Sequence, residues 1–160
     1  MREIEFRGYD LDLKQWFYGG YHKHIKRQIA PFGDELKEED IQHMIIIDGF
    51  ADWNMPKPIQ VVTNIDKKSV GQFTGLKDKN GVKIFEGDIV RTYRLNADKY
   101  LEDRTREYDE FIGVITWNEE YLEYYIQKNS NEYEDVLKPF ERYYEVIGNV
   151  YENKELLEVK

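Results

Sequence analysis

Apolar and charged residues alternate from the start of the chain. Ile4 and Phe6 are separated and flanked by Glu3, Glu5 and Arg7. This period of two marks a half-buried strand, because successive side chains leave opposite faces of a sheet. Residues 8–14, with two aspartates, read as a connection, and Gln15-Trp16-Phe17-Tyr18 as an aromatic strand that ends at Gly19-Gly20. Met44-Ile45-Ile46-Ile47 and Ile59 to Thr63 predict further strands, with Pro56-Lys57-Pro58 forcing a loop between them. Strands are also expected over Ser69 to Thr74, Val82 to Phe85, Ile89 to Tyr93, Phe111 to Trp117, Tyr121 to Gln127 and Tyr144 to Tyr151. Tight turns fall at residues 77–81, where Asn80 and Gly81 tolerate positive φ, at Glu86-Gly87-Asp88, and around Asn118-Glu119-Glu120.

Helical signals are few. Asp34 is placed to cap a short surface helix over residues 34–43, with acidic residues in its first turn and only Leu36 and Ile41 as apolar positions. Asn153 is placed to cap another through Leu157. Residues 95–109 are charged and poorly periodic and read as an exposed excursion, either a helical insertion or a mobile loop. The expectation is a mainly β fold of small antiparallel sheets with one or two short helices. It divides into an N-terminal β-rich subdomain with a short helix over residues 1–68 and a second over 69–160, with an acidic insertion near 95–109. A closed or nearly closed small barrel in the second half would protect strand edges.

Composition narrows the classes. The chain has 160 residues, 41% of them apolar, enough to bury a core. It has no cysteine, which removes disulfides, thiolate zinc sites and cysteine catalysis, and suits a reducing compartment. No secretory apolar stretch opens the chain, and its longest aliphatic run, Met44 to Ile47, falls far short of the roughly 20 residues that cross a bilayer. A cytoplasmic protein without membrane association is expected. Residues 95–160 carry 17 acidic and 8 basic side chains, and so the whole net charge of −9. Such a half repels phosphates; it favours solubility or a basic partner surface.

Candidate chemistry is sparse. Asp78, Asn80 and Gly81 resemble part of a calcium loop, but Leu76 and Gly87 would occupy its two end ligand positions, so a hairpin turn is the better reading. His22, His24 and His43 are three imidazoles, yet Lys23, Lys26 and Arg27 crowd the first two with positive charge, and no metal site is expected. Glu86 with Asp88, and Glu119 with Glu120, are acidic pairs too close along a turn to oppose each other across a substrate. No phosphate-binding glycine motif or nucleophile elbow is present. No catalytic residue and no cofactor are therefore assigned. Lys23, Lys26 and Arg27, near Tyr18, Tyr21 and Phe32, are the one compact basic cluster and the candidate nucleic-acid contact. Trp117, Tyr121, Tyr124 and Tyr125, with Tyr143 and Tyr144 later, are the aromatic concentration. Half of these rings must pack inward. Trp117, Tyr121, Tyr125 and Tyr143 are the candidate partner-binding set, with Tyr121 and Tyr125 expected on one strand face.

Four stretches stand out together: Arg2-Glu3-Ile4-Glu5-Phe6-Arg7; residues 72–81, Gln-Phe-Thr-Gly-Leu-Lys-Asp-Lys-Asn-Gly, running on through Ile84-Phe85-Glu86-Gly87-Asp88-Ile89-Val90; Gly113-Val114-Ile115-Thr116-Trp117; and residues 145–153. In this order they resemble the YopX family of phage and prophage proteins. Gly8-Tyr9-Asp10 stands where the family usually has Ala-Trp-Asp, and residues 95–109 are longer than the common spacing. The resemblance implies a phage or prophage protein of bacteria with an SH3-like barrel, and supplies no catalytic residues. The leading expectation is a non-enzymatic interaction protein that binds a host or phage protein. The alternatives are a nucleic-acid-associated factor using the basic cluster, and a hydrolase of unrecognised type. A homo-oligomer is compatible with the strand-rich fold.

Overall fold

A computed structural model describes residues 3–26, 35–48, 59–62, 64–129, 132–136 and 143–158. The fold is mainly β and its strand pairings are antiparallel. The chain forms two compact units, Met1–Phe73 and Thr74–Lys160.

In the first unit, β1 (Phe6–Asp10), β2 (Gln15–Ile25), β3 (Ile41–Asp48) and β4 (Ile59–Val62) lie in the order β4-β3-β2-β1. The opening residues of β5 (Gly71–Lys77) pair along β1, Gly71 with Arg7 and Gln72 with Phe6. Its core includes Ile45, Ile65 and Phe73. Two expectations are corrected here. Strand β2 does not stop at Gly19-Gly20 but runs through them to Ile25. A Cβ on Gly19 would meet the Ile46 carbonyl oxygen at 2.1 Å, so glycine permits this close approach to β3 and marks no break. The helix expected over 34–43 is reduced to a single 3-10 turn at Glu38–Asp40, and Ile41, Gln42 and His43 belong to β3. With Leu36 and Ile41 as its only apolar positions, that helix had no stripe to bury, whereas Gln42 and His43 gain partners in His24 and Lys23. Asp34 and the Pro56-Lys57-Pro58 loop lie outside the described residues.

In the second unit, the rest of β5 neighbours β6 (Lys83–Phe85). Strands β7 (Asp88–Leu95), β8 (Tyr108–Asn118), β9 (Glu123–Asn129), β10 (Glu132–Val136) and β11 (Glu145–Asn149) form a sheet in the order β10-β9-β8-β7-β11. Strand β10 was not among the strands expected from the sequence. Strand β8 shows the alternation plainly: Phe111, Gly113 and Ile115 are buried and the residues between them half-buried. From this face Phe111 and Ile115 join Ile84, Val90, Tyr124, Ile126 and Tyr144 in one cluster, against which Leu76, Trp117 and Val146 pack. Each such side chain contributes about 1.5–3 kcal/mol through burial. Among the described residues no pairing joins the end strands β10 and β11, so this sheet is open, and the closure of an SH3-like barrel is not among the pairings.

The charged excursion contains a helix, α1 (Ala97–Asp103). The Asn96 side chain accepts from Lys99 N at 3.1 Å to start it, and Arg104 ends it in the left-handed conformation at φ 64°. No α1 residue is buried. Among the described residues no helix is long and apolar enough to cross a membrane.

Candidate functional site

The register of the second unit puts tyrosines on the outer face of its sheet. Val90 pairs with Gly113 and Thr92 with Phe111, and these four residues are buried on the core side. The other face therefore carries Arg91, Tyr93 and Leu95 on β7 beside Ile112, Glu110 and Tyr108 on β8. Strand β11 pairs Glu145 with Arg91, and Tyr143 lies in the turn two residues before that strand. Tyr93, Tyr108 and Tyr143 line a hollow of about 500 Å³. All three rings are exposed. Among the described residues none of them stacks on another ring, carries a cation or hydrogen-bonds through its hydroxyl.

The residues on either side of Tyr108 are tied to the base of the excursion. Asn96 N donates to Glu107 O at 2.8 Å, and the Asn96 amide donates to Asp109 Oδ2 at 3.0 Å. The row beside the tyrosines is charged: Glu110 lies 2.6 Å from Arg91 Nε and Glu145 3.5 Å from Arg91 Nη1. Lys79, 2.9 Å away, together with Arg91 holds the Glu145 carboxyl below the usual range.

The candidate partner-binding residues separate. Tyr143 lies at the hollow. Tyr121 is exposed, but in the turn at residues 119–122 and not on a strand. Asn118 Oδ1 accepts from Glu120 N at 2.9 Å and Tyr121 N at 3.1 Å, and Leu122 takes φ 55°, so the connection is longer than expected. Tyr121 and Tyr125 therefore do not share a strand face. Tyr125 faces away from Tyr124 and is only 9% exposed. Trp117 is half-buried and packs edge-on against Tyr124, centroids 4.9 Å apart. Tyr93 and Tyr108 were not selected from the sequence. Alternation over 89–95 carried the signal, but Ile89 and Val90 are both buried and blur it.

Of the basic cluster, Lys23 is exposed and Lys26 donates from Nζ to Glu39 O at 3.2 Å; Arg27 lies outside the described residues. His22 and His24 face one side of the first unit's sheet and His43 the other, since His43 pairs with Lys23. The three imidazoles cannot converge. Among the described residues no histidine and carboxylate cluster has the makings of a metal site.

His43 instead completes a relay within the first unit. Glu38 is 3.2 Å from its Nε2, so that nitrogen donates to the carboxylate, and Nδ1 accepts from the Tyr21 hydroxyl at 2.5 Å. Lys67 Nζ closes on Glu38 at 2.8 Å. The lysine and then the histidine hold the Glu38 carboxyl below its ordinary range. Burial, and then Glu38, push the Tyr21 hydroxyl above its own. A raised pKa keeps tyrosine protonated, the opposite of an activated nucleophile. The relay is a tie between β2, β3 and the 3-10 turn before β3.

The carboxylates of the recurrent turns are likewise committed to backbone. Asp78 Oδ1 accepts from Asn80 N at 2.8 Å and Val82 N at 2.9 Å, and its Oδ2 from Val146 N at 3.1 Å. Gly81 takes φ 84° in that turn, which a side chain would strain. Asp88, 1% exposed, accepts from Phe85 N at 2.7 Å. Asp10 accepts from Asp12 N and Leu13 N at 2.9 and 2.7 Å. Glu119 and Glu120 lie in an exposed turn.

The fold and this hollow define a mainly antiparallel β protein whose turn carboxylates hold backbone and whose second unit brings three exposed tyrosines together. The chain belongs to the YopX protein family, whose model matches residues 5–158. A comparison with curated proteins finds no match.

Proposed function

We propose that this chain is a phage- or prophage-encoded interaction protein of the bacterial cytoplasm, without catalysis of its own, that binds a host or phage protein through the tyrosine face of its second unit. The observation that carries the reading is the hollow of about 500 Å³ lined by Tyr93, Tyr108 and Tyr143. Tyrosine offers a large amphipathic contact with few rotors to freeze, which is why it recurs at binding surfaces. The use of Asp10, Asp78 and Asp88 as backbone acceptors supports the non-catalytic part. Family membership supports the phage origin, and an SH3-like arrangement of the second unit with it. The test is capture from host and phage-infected lysates with the native chain and a Tyr108→Ala/Tyr143→Ala variant. A species held by the first and lost by the second is expected. No specific species, or one retained equally by both, overturns the reading.

A further inference from the structure

We infer that the occupant of the tyrosine hollow is a basic segment of the partner, its arginine or lysine side chains laid against the rings of Tyr93, Tyr108 and Tyr143. The inference rests on the interaction reading above and names the chemistry of its partner. Three open rings present π faces, which attract a cation, and hydroxyls, which accept hydrogen bonds from a guanidinium. Glu110 stands at the border: it is the cross-strand neighbour of Tyr93 and already lies 2.6 Å from Arg91 Nε. Arg91, between Glu110 and Glu145, shows that a guanidinium fits the row beside the tyrosines. The same unit sets cations over rings elsewhere, Arg104 at 5.5 Å from Tyr100 and Lys128 at 5.7 Å from Phe111. Residues 95–160 hold the whole net charge of −9, which draws a basic segment in and repels phosphates and a second copy of this chain.

The experiment is NMR of the full chain with carbon-13-labelled tyrosine rings, titrated with Gly-Arg-Gly-Arg-Gly and with the leucine and glutamate counterparts of that peptide. The arginine peptide is expected to shift Tyr93, Tyr108 and Tyr143 saturably while Tyr121 stays silent. The leucine peptide should bind about fivefold more weakly or worse, and the glutamate peptide not at all. Tyr108→Leu with Tyr143→Leu, which keeps an apolar surface, should weaken the arginine peptide about fivefold or more. Glu110→Gln should weaken it about two- to fivefold, and added salt should weaken it further. Equal binding of the leucine peptide, absence of saturation, or an unchanged response in the double variant overturns the inference. So do ring shifts that follow protein concentration alone, since these assign the face to a second copy. If capture of a partner still depends on Tyr108 and Tyr143 while the arginine peptide fails, the interaction reading survives and its cationic chemistry does not. If both fail, the face is no interface.

Discussion

Tyr143 and Tyr144 are neighbours in the chain and opposites in the structure, 63% and 2% exposed. Tyr144 enters the core cluster with Ile84, Val90 and Phe111, while Tyr143 joins Tyr93 and Tyr108 on the outer face. Tyr143 lies in the turn before β11 and Tyr144 between that turn and the strand, where the chain enters the sheet. The contrast separates two uses of one residue type. Buried rings hold the unit together, and the proposed function assigns the exposed rings to a partner, so stability and binding should come apart when each set is cut.

Tyr144→Ala should have the largest effect, a loss of about 3–5 kcal/mol for a large aromatic removed from a packed core. Chemical unfolding of the variant measures it. A loss below about 1 kcal/mol would mean that the unit does not depend on this ring and would blur the contrast.

Asp78→Ala comes next and sharpens the comparison by removing a polar group in place of an apolar one. Three backbone N–H groups, from Asn80, Val82 and Val146, lose their acceptor. A destabilisation of about 2–3 kcal/mol is expected, with Asp78→Asn recovering part of it because one amide oxygen remains. The same unfolding experiment reads both variants.

Tyr143→Ala should change stability by no more than about 0.5 kcal/mol, since its ring is exposed and takes part in no hydrogen bond, ion pair or ring stacking among the described residues. It should nevertheless weaken partner capture. A thermal midpoint several degrees below the native one would show Tyr143 to be structural.

Much of the second unit was legible. The turns at 77–81 and 86–88 were readable because glycine and short acidic side chains carry their geometry locally, and the mainly β class followed from alternation. The length of β2 was not, because Gly19 serves a contact with Ile46, 27 positions away, that no local pattern announces. The helix at 34–43 was overestimated for a related reason. Acidic residues at 38–40 do suit a helix start, but cross-strand pairing of Gln42 and His43 decided the segment. At the candidate site, Tyr143 was found and Tyr93 and Tyr108 were not. Tyr121 and Tyr125 were put on a common face by assuming a strand that in fact begins only at Glu123. The grouping depends on the register of β7 on β8 and on the turn before β11, which are long-range properties.

The smallest expected effect concerns the first unit, where polar groups tie elements together without deep burial of the acid. The Glu38 carboxyl titrates below its ordinary range because Lys67 and His43 donate to it. A depressed folded-state value means the unfolded chain takes up the proton first as pH falls, so the contribution of Glu38 is complete above about pH 5 and fades as pH drops through the folded value. Tyr21 works at the other end. Its folded value is raised, so its contribution is present below about pH 10 and fades as pH climbs past that. Thermal midpoints followed from pH 3 to 7 should fall less steeply for Glu38→Gln than for the native chain, and the difference should shrink in high salt because the carboxylate is exposed. Tyr21→Phe, followed in a second series from pH 7 to about pH 11, should flatten the alkaline side alone. If Glu38→Gln instead parallels the native curve, the Glu38 tie adds nothing to the first unit, and the tyrosine contrast of the second unit would be the sole one with measurable consequence.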